Sequence, residues 1–400
     1  MPMEKNMRIT KQLNIRYFFL QMLFWGAAVV NYAYMTPIME NKGFTEIEIG
    51  ILNAAKLLAG VIFQIWVGSF ADRYAKKVPL KYLLALFAGV TAVLSVALYF
   101  VSHDFFLMFF ISLGFGMSFV TISPLLDSLS MLYVEHGYPV NYAFCRTGGS
   151  LSWAVLCVLA GFISDHAGTG TLPLIQLALA FVMTLLLLSL YWENMEQTGH
   201  VSNANVSKVH TVKEILTDYP QFSLFLLASA IMFMGYNLGT TFLVDVITGL
   251  GGTHTDYGMA ELVMSLSEIP SAFIILKLRR KIPITKMMVC CAVFMTFKNV
   301  FPTYTDSVTV VILSQVCELL GFGLFYAGTV YLVSSMLPHQ DMVKGMTLIS
   351  VATVGLGEGV ASVFCGIIRK YAGFYGLLEV RVMVSAVSVI VMVWMCRKKK

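Results

Sequence analysis

The stretch Gly68-Ser69-Phe70-Ala71-Asp72-Arg73-Tyr74-Ala75-Lys76-Lys77 decides how the chain is read. An apolar run of membrane-spanning length stops there and a compact charged turn begins. Gly68 permits two helices to approach closely, and Asp72 can cap the following turn. Arg73, Lys76, Lys77 and Lys81 hold that turn on the cytoplasmic side, because cations are retained there. The chain reverses direction at a membrane surface.

The composition outside this turn agrees. Of the 400 residues, 58% are hydrophobic and only 12% charged, where a soluble domain has nearer half and a quarter. A polytopic membrane protein is expected. The net charge of +5 sits in loops and tails, where topology explains it, so no nucleic-acid partner follows. The seven cysteines lie in or beside apolar segments without metal-ligand or disulfide spacing, and no metal or cofactor is expected. The basic start to Arg16 meets an apolar run without a small-residue cleavage site, which predicts a retained first helix.

Apolar runs of about 20 residues, the length that crosses a bilayer, fall near 15–38, 46–71, 79–101, 105–132, 143–164 and 171–192. Six more fall near 220–248, 257–277, 284–303, 307–337, 345–368 and 373–396. The expected architecture is an all-α membrane protein of twelve helices in two halves, 1–192 and 220–400, joined by a polar cytoplasmic linker, 193–219. With the amino end inside, 20 of the 27 Lys and Arg fall in inner loops and tails, three in outer loops (Lys42, Arg369, Lys370) and four inside helices. Both termini are therefore expected in the cytoplasm, and the chain in the cell membrane.

The halves repeat. Leu113-Gly114-Phe115-Gly116-Met117 recurs as Leu320-Gly321-Phe322-Gly323-Leu324 at an offset of 207. Lys76-Lys77-Val78-Pro79 recurs as Arg280-Lys281-Ile282-Pro283 at 204, and Gly161 with Ala167-Gly168 recurs as Gly366 with Ala372-Gly373 at 205. Chance accounts for any one match but not for a shared offset. Two six-helix halves suit a transporter that rocks around a midplane site.

The spacing G-x-x-A-D-R-x-x-K-K over residues 68–77 resembles the loop between helices 2 and 3 of the major facilitator superfamily. Ala75 departs from the glycine usual before the basic pair. The resemblance gives Gly68, Asp72 and Arg73 a conformational role and implies a transporter, expected as a monomer in the bilayer.

Charges inside membrane helices cost about 2.5–3.5 kcal/mol each on insertion scales, so they are functional candidates. They are Lys56, Asp127, Arg146, Asp245, Glu261, Glu268, Lys298, Glu318, Glu358, Glu379 and Arg381. Asp127 late in helix 4 and Arg146 early in helix 5 can meet across the turn joining these helices, and Trp153 shares a face with Arg146 two turns on. A guanidinium, a carboxylate and an indole suit a saccharide: the ions take hydroxyls and the ring covers the apolar face. An interfacial ion pair beside a lipid-anchoring Trp has the same letters. The segments Pro124-Leu125-Leu126-Asp127 and Arg146-Thr147-Gly148-Gly149-Ser150-Leu151-Ser152-Trp153-Ala154 resemble the lactose and sucrose permease group of proton symporters, with a loop one residue longer. That resemblance implies sugar-binding roles for Asp127, Arg146 and Trp153.

In helix 10, Gln315 and Glu318 lie one turn apart. Burial favours the neutral form of a carboxyl, so a proton can load and leave as a cation withdraws and returns. Lys298 in helix 9 is the natural cation, and a structural ion pair is the alternative. The pattern resembles the permeases, in which a helix 10 carboxylate carries the coupled proton, with Gln315 at their histidine position and Lys298 at their arginine. Glu261 resembles a permease helix 8 glutamate that touches sugar and proton networks. Glu268-Ile269-Pro270 resembles a motif of the phenylpropionate transporter group. Gln21, Asn31 and Tyr32 on helix 1 and Tyr236 and Asn237 on helix 7 line a cavity or bond between helices. Lys56, Asp245 and Glu358 have no assigned role.

The expected function is proton-coupled import of a small polar organic solute, a saccharide or glycoside first. A nucleoside or aromatic acid symporter, or an efflux antiporter of the same fold, are the alternatives. An enzyme is not expected: the seven histidines fall in or next to loops without metal or triad spacing.

Overall fold

The computed structural model describes residues 2–73, 78–192, 211–338 and 341–397, and these hold helices and no β-strand. In hydrocarbon each backbone N–H and C=O must be satisfied within its own segment, which makes apolar runs of this length helical. Ten runs cross once: α1 (Ile9–Ala33), α2 (Glu46–Gly68), α3 (Leu80–Phe100), α4 (Phe105–Val134), α5 (Phe144–Ala167), α6 (Thr169–Leu188), α7 (Pro220–Gly249), α8 (His254–Ile275), α9 (Ile284–Tyr304) and α10 (Val308–Met336).

The last run, Lys344–Arg397, is 54 residues long. At 1.5 Å per residue that is about 80 Å of helix, against about 30 Å of hydrocarbon. Gly373, at φ 71° and ψ −175°, breaks it into α11 (344–372) and α12 (374–397). Gly168, its counterpart in the repeat, stands at φ 80° between α5 and α6. Left-handed backbone favours glycine, so the matched glycines make the same corner. Twelve crossings result.

Large apolar side chains stand on the surface, and polar groups are found among the apolar ones inside. Phe100, Phe106, Ile62 and Tyr375 are exposed, as a lipid-facing shell requires. The Thr91 and Ser118 hydroxyls meet at 3.2 Å between α3 and α4. Helix starts are capped by Asp104, which accepts from the Leu107 N–H, and Asn141, which accepts from the Phe144 N–H. Thr253 forms a capping box with Asp256 at the start of α8.

Two compact units are formed, Met1–Phe44 with Ala55–Ser202 and Thr45–Ala54 with Asn203–Lys400. In the first, α1 lies on α5, with Gly148 against Phe18 and Gly149 against Trp25. A Cβ on Gly116 of α4 would overlap the Lys56 carbonyl oxygen of α2. In the second, Phe222, Phe225, Phe233, Met288 and Phe325 form an aromatic and thioether core.

The second unit also contains the amino end of α2, which the expected boundaries placed in the first half. The reason is backbone packing. A Cβ on Gly50 would overlap the Ser362 carbonyl oxygen, and one on Gly366 would overlap that of Glu46. Arg369 was read as a loop cation, but it lies within α11, pairs with Asp245 of α7 and stands 4.0 Å from Glu46.

Irregular stretches interrupt the helices. Val29–Ala33 in α1 and Gly116–Val120 in α4 are π-turns, Val351–Gly359 in α11 is a longer π-helical stretch, and Gln315–Leu319 in α10 is a 3₁₀ turn. Within the stretch read as a linker, Val212–Asp218 is a short helix capped by Thr211 and Glu214; residues 193–210 lie outside the described residues. No close helix approach occurs at Gly68 among the described residues, since a Cβ there meets nothing within 4 Å. Asp72 and Arg73 end the helix Glu46–Arg73; their side chains, and residues 74–77, lie outside the described residues.

Candidate functional site

Each unit holds a polar cluster. In the first, Asp127 on α4 accepts from the Tyr142 hydroxyl at 2.9 Å. Burial, then the Asp127 charge, push the Tyr142 phenol up to about 12, so it stays a donor across physiological pH. Arg146 on α5 stacks on Trp25 of α1, with its guanidinium carbon 4.2 Å from the ring centroid. Trp25 meets Trp153 edge-on at 6.1 Å and 67°. The Trp153 indole N–H is buried without a partner.

The expected contact between Asp127 and Arg146 is therefore not made. The two feel each other's charge, but among the described residues no ion pair joins them. Tyr142, one turn before Arg146, reaches the carboxylate first, and the Trp25 face takes the guanidinium by cation–π attraction. This leaves guanidinium N–H groups for hydroxyl or carboxylate oxygens. Trp25 was missed from sequence. The signal was the spacing Tyr17, Gln21, Trp25, four apart on one face of α1: Tyr17 donates to the Leu126 carbonyl at 2.6 Å and Gln21 donates to Tyr17 at 3.3 Å.

In the second unit, Lys298 of α9 and Glu318 of α10 form a buried ion pair. The Lys298 ammonium also lies 4.7 Å over the Tyr236 ring and 3.5 Å from the Met264 sulfur. The second Glu318 oxygen accepts from the Phe322 N–H at 3.3 Å. In the 3₁₀ turn residues three apart eclipse, which puts Gln315 and Glu318 on one side. Gln315 nevertheless stays out of the pair: its amide donates to the Val311 carbonyl at 3.1 Å and Ser314 at 3.2 Å, and its Oε1 is buried without a partner.

Glu261 is buried and Glu268 half-buried, and both, with Glu318 and Glu358, act electrostatically on Tyr236. Arg381 and Asn237 are held in hydrogen bonds between helices. Arg381 donates to Thr303 at 3.0 and 3.2 Å, and Asn237 accepts from Thr241 and Ser362, each at 3.2 Å. Removing one member of a buried ion pair typically costs about 3–5 kcal/mol, because the other charge is left uncompensated. Lys298→Met is therefore expected to lower the unfolding midpoint, and adding Glu318→Gln to restore most of it; thermal unfolding in detergent checks both.

The model of the MFS_1-like family matches residues 11–376. The chain belongs to this family of the major facilitator superfamily. The maltose permease of Geobacillus stearothermophilus is 24% identical over 307 residues, covering 77% of this chain and 74% of that protein. The nucleoside transporter NupG superposes at a TM-score of 0.79 with 16% identity, covering 98% of this chain and 100% of that one. A D-xylose-proton symporter superposes at 0.70 with 13% identity, covering 96% and 97%. As a member of this superfamily the protein is a multi-pass membrane transporter of small solutes and not an enzyme.

Proposed function

We propose that this transporter is a proton-coupled importer of a small polar organic solute, a saccharide or glycoside first, working by alternating access in the cell membrane with both termini cytoplasmic. The observation that carries the reading is the buried Lys298–Glu318 pair. A carboxylate sealed in an apolar helix bundle beside a cation has two low-energy states: ionised while the ammonium stays, protonated once it withdraws. A proton is taken up in the second state and released in the first, which ties it to a conformational change.

Solute binding is assigned to Arg146, Trp25 and Trp153 in the first unit, with Asp127 held by Tyr142 as a hydroxyl acceptor. Glu261 and Glu268 extend the acidic set around Tyr236. The maltose permease and xylose symporter relatives are consistent with a sugar cargo, while NupG makes nucleosides the second class to try. Proteoliposomes with an imposed pH gradient and a panel of sugars, nucleosides and arylpropionates test the proposal. Gradient-driven uptake of a sugar supports it. Outward, proton-exchanging movement, or a response to nucleosides alone, overturns the leading reading.

Arg146→Lys keeps the charge but loses the planar stack on Trp25. It is expected to raise the half-saturation concentration about tenfold, measured by counterflow. Unchanged affinity moves the solute site elsewhere.

A further inference from the structure

Lys56 is buried and has no role in the sites above. It is the one ionisable residue of α2 between Glu48 and Asp72. Ten residues from Glu46 place it about 15 Å along the helix, the middle of the hydrocarbon layer. Its side chain is 4% exposed, and its ammonium donates to the Asn31 carbonyl at 2.6 Å, inside the π-turn of α1. Its own carbonyl is covered by Gly116, in the π-turn of α4. Lys56 thus stands where two π-turns meet, and single π-turns are frequent at functional sites.

Asn31 adds an independent observation. Its side chain is 0% exposed, and both its amide nitrogen and its amide oxygen lack a hydrogen-bond partner. A buried polar group left unpaired costs about 1–3 kcal/mol. The unpaired NH₂, close to a buried ammonium bonded to the same residue's carbonyl, is a donor for an anionic acceptor, and the unpaired amide oxygen is an acceptor for a hydroxyl of the same solute. Tyr32, next in the chain, is 41% exposed, and Lys56 lies 5.5 Å from its ring centroid.

We propose that Lys56 and the Asn31 amide are a second anchor for the transported solute and that they take a carboxylate, so that the cargo is an acidic saccharide: a sugar ring bearing one carboxyl group. This rests on the saccharide reading of the Arg146–Trp25–Trp153 cluster. An ammonium and an amide NH₂ present donors to the two oxygens of a carboxylate, and charge-assisted hydrogen bonds of this kind are roughly twice as strong as neutral ones. Tyr32, seven residues beyond Trp25, lies on the same face of α1 about 10 Å further along the axis, and the Lys56 ammonium sits beside its ring. A pyranose ring against the indoles and a carboxylate at Lys56 span that length.

The test compares D-glucuronate with D-glucose in proteoliposome counterflow, using the wild type, Lys56→Met, Lys56→Arg and Asn31→Asp. The wild type is expected to prefer glucuronate. Lys56→Met and Asn31→Asp are each expected to lower the glucuronate-to-glucose ratio at least tenfold, the second by placing a carboxylate where the cargo's would sit. Lys56→Arg is expected to keep most of the ratio. If Lys56→Met yields no monodisperse protein, Asn31→Asp decides. A wild type that carries glucose but not glucuronate, or variants with an unchanged ratio, overturns the carboxylate anchor and leaves the sugar site standing. Transport of neither compound, with uptake of a nucleoside or arylpropionate instead, removes the saccharide reading and this inference with it.

Discussion

Glu318→Gln is expected to abolish accumulation of solute against a gradient while leaving exchange of labelled for unlabelled solute across the membrane intact. One pH unit supplies about 1.4 kcal/mol per proton, enough for roughly tenfold accumulation at one proton per solute. Glutamine fills the same volume and still accepts from the Phe322 N–H, but it cannot carry a proton. The variant is the protonated state made permanent. It should equilibrate solute and stop at equal concentrations, so the tenfold ratio under a one-unit gradient falls to one. The measurement is uptake with and without an imposed pH gradient, beside counterflow at equal pH. A variant that still concentrates solute would assign proton coupling to another acid, with Glu261 the next to test.

Gly366→Trp is expected to have the second large effect. A Cβ at Gly366 already overlaps the Glu46 carbonyl oxygen, and one at Gly50 overlaps that of Ser362. Both obstacles are main chain, so no side-chain rotation relieves them, and an indole forces α2 off α11. Ile49, 0% exposed on that stretch, then reaches solvent. In an Ile49→Cys background a membrane-impermeant maleimide should label at least tenfold faster once Gly366→Trp is added, with the native cysteines alone as the blank. Equal labelling rates would mean that the close packing does not hold this end of α2 in place.

Much of the fold was legible because membrane insertion leaves its record in local composition. Length and apolarity marked each crossing, the cations marked the turns, and Gly168 and Gly373 were picked out by the repeat before their shared left-handed corner was seen. Pairing was less legible. Lys298 and Glu318 were matched because an acid and a base on consecutive helices have few other partners. Asp127 and Arg146 were matched across the turn that joins their helices, and Tyr142 and Trp25 intervened. A hydroxyl one turn away and an aromatic face on a neighbouring helix compete well for a charge, and neither shows in a list of charged residues.

Composition and apolar run length alone determined that this protein is a twelve-helix membrane protein, since the cost of bare backbone and stray charge in lipid restricts which residues can stand where. Three features were decided only by the tertiary structure: the stack of Arg146 on Trp25, the grouping of the amino end of α2 with α11, and the meeting of two π-turns at Lys56. Each depends on a helix crossing, and crossings are chosen by which side chains and glycines fit against one another across hundreds of residues. Neither periodicity nor spacing along one helix carries that information.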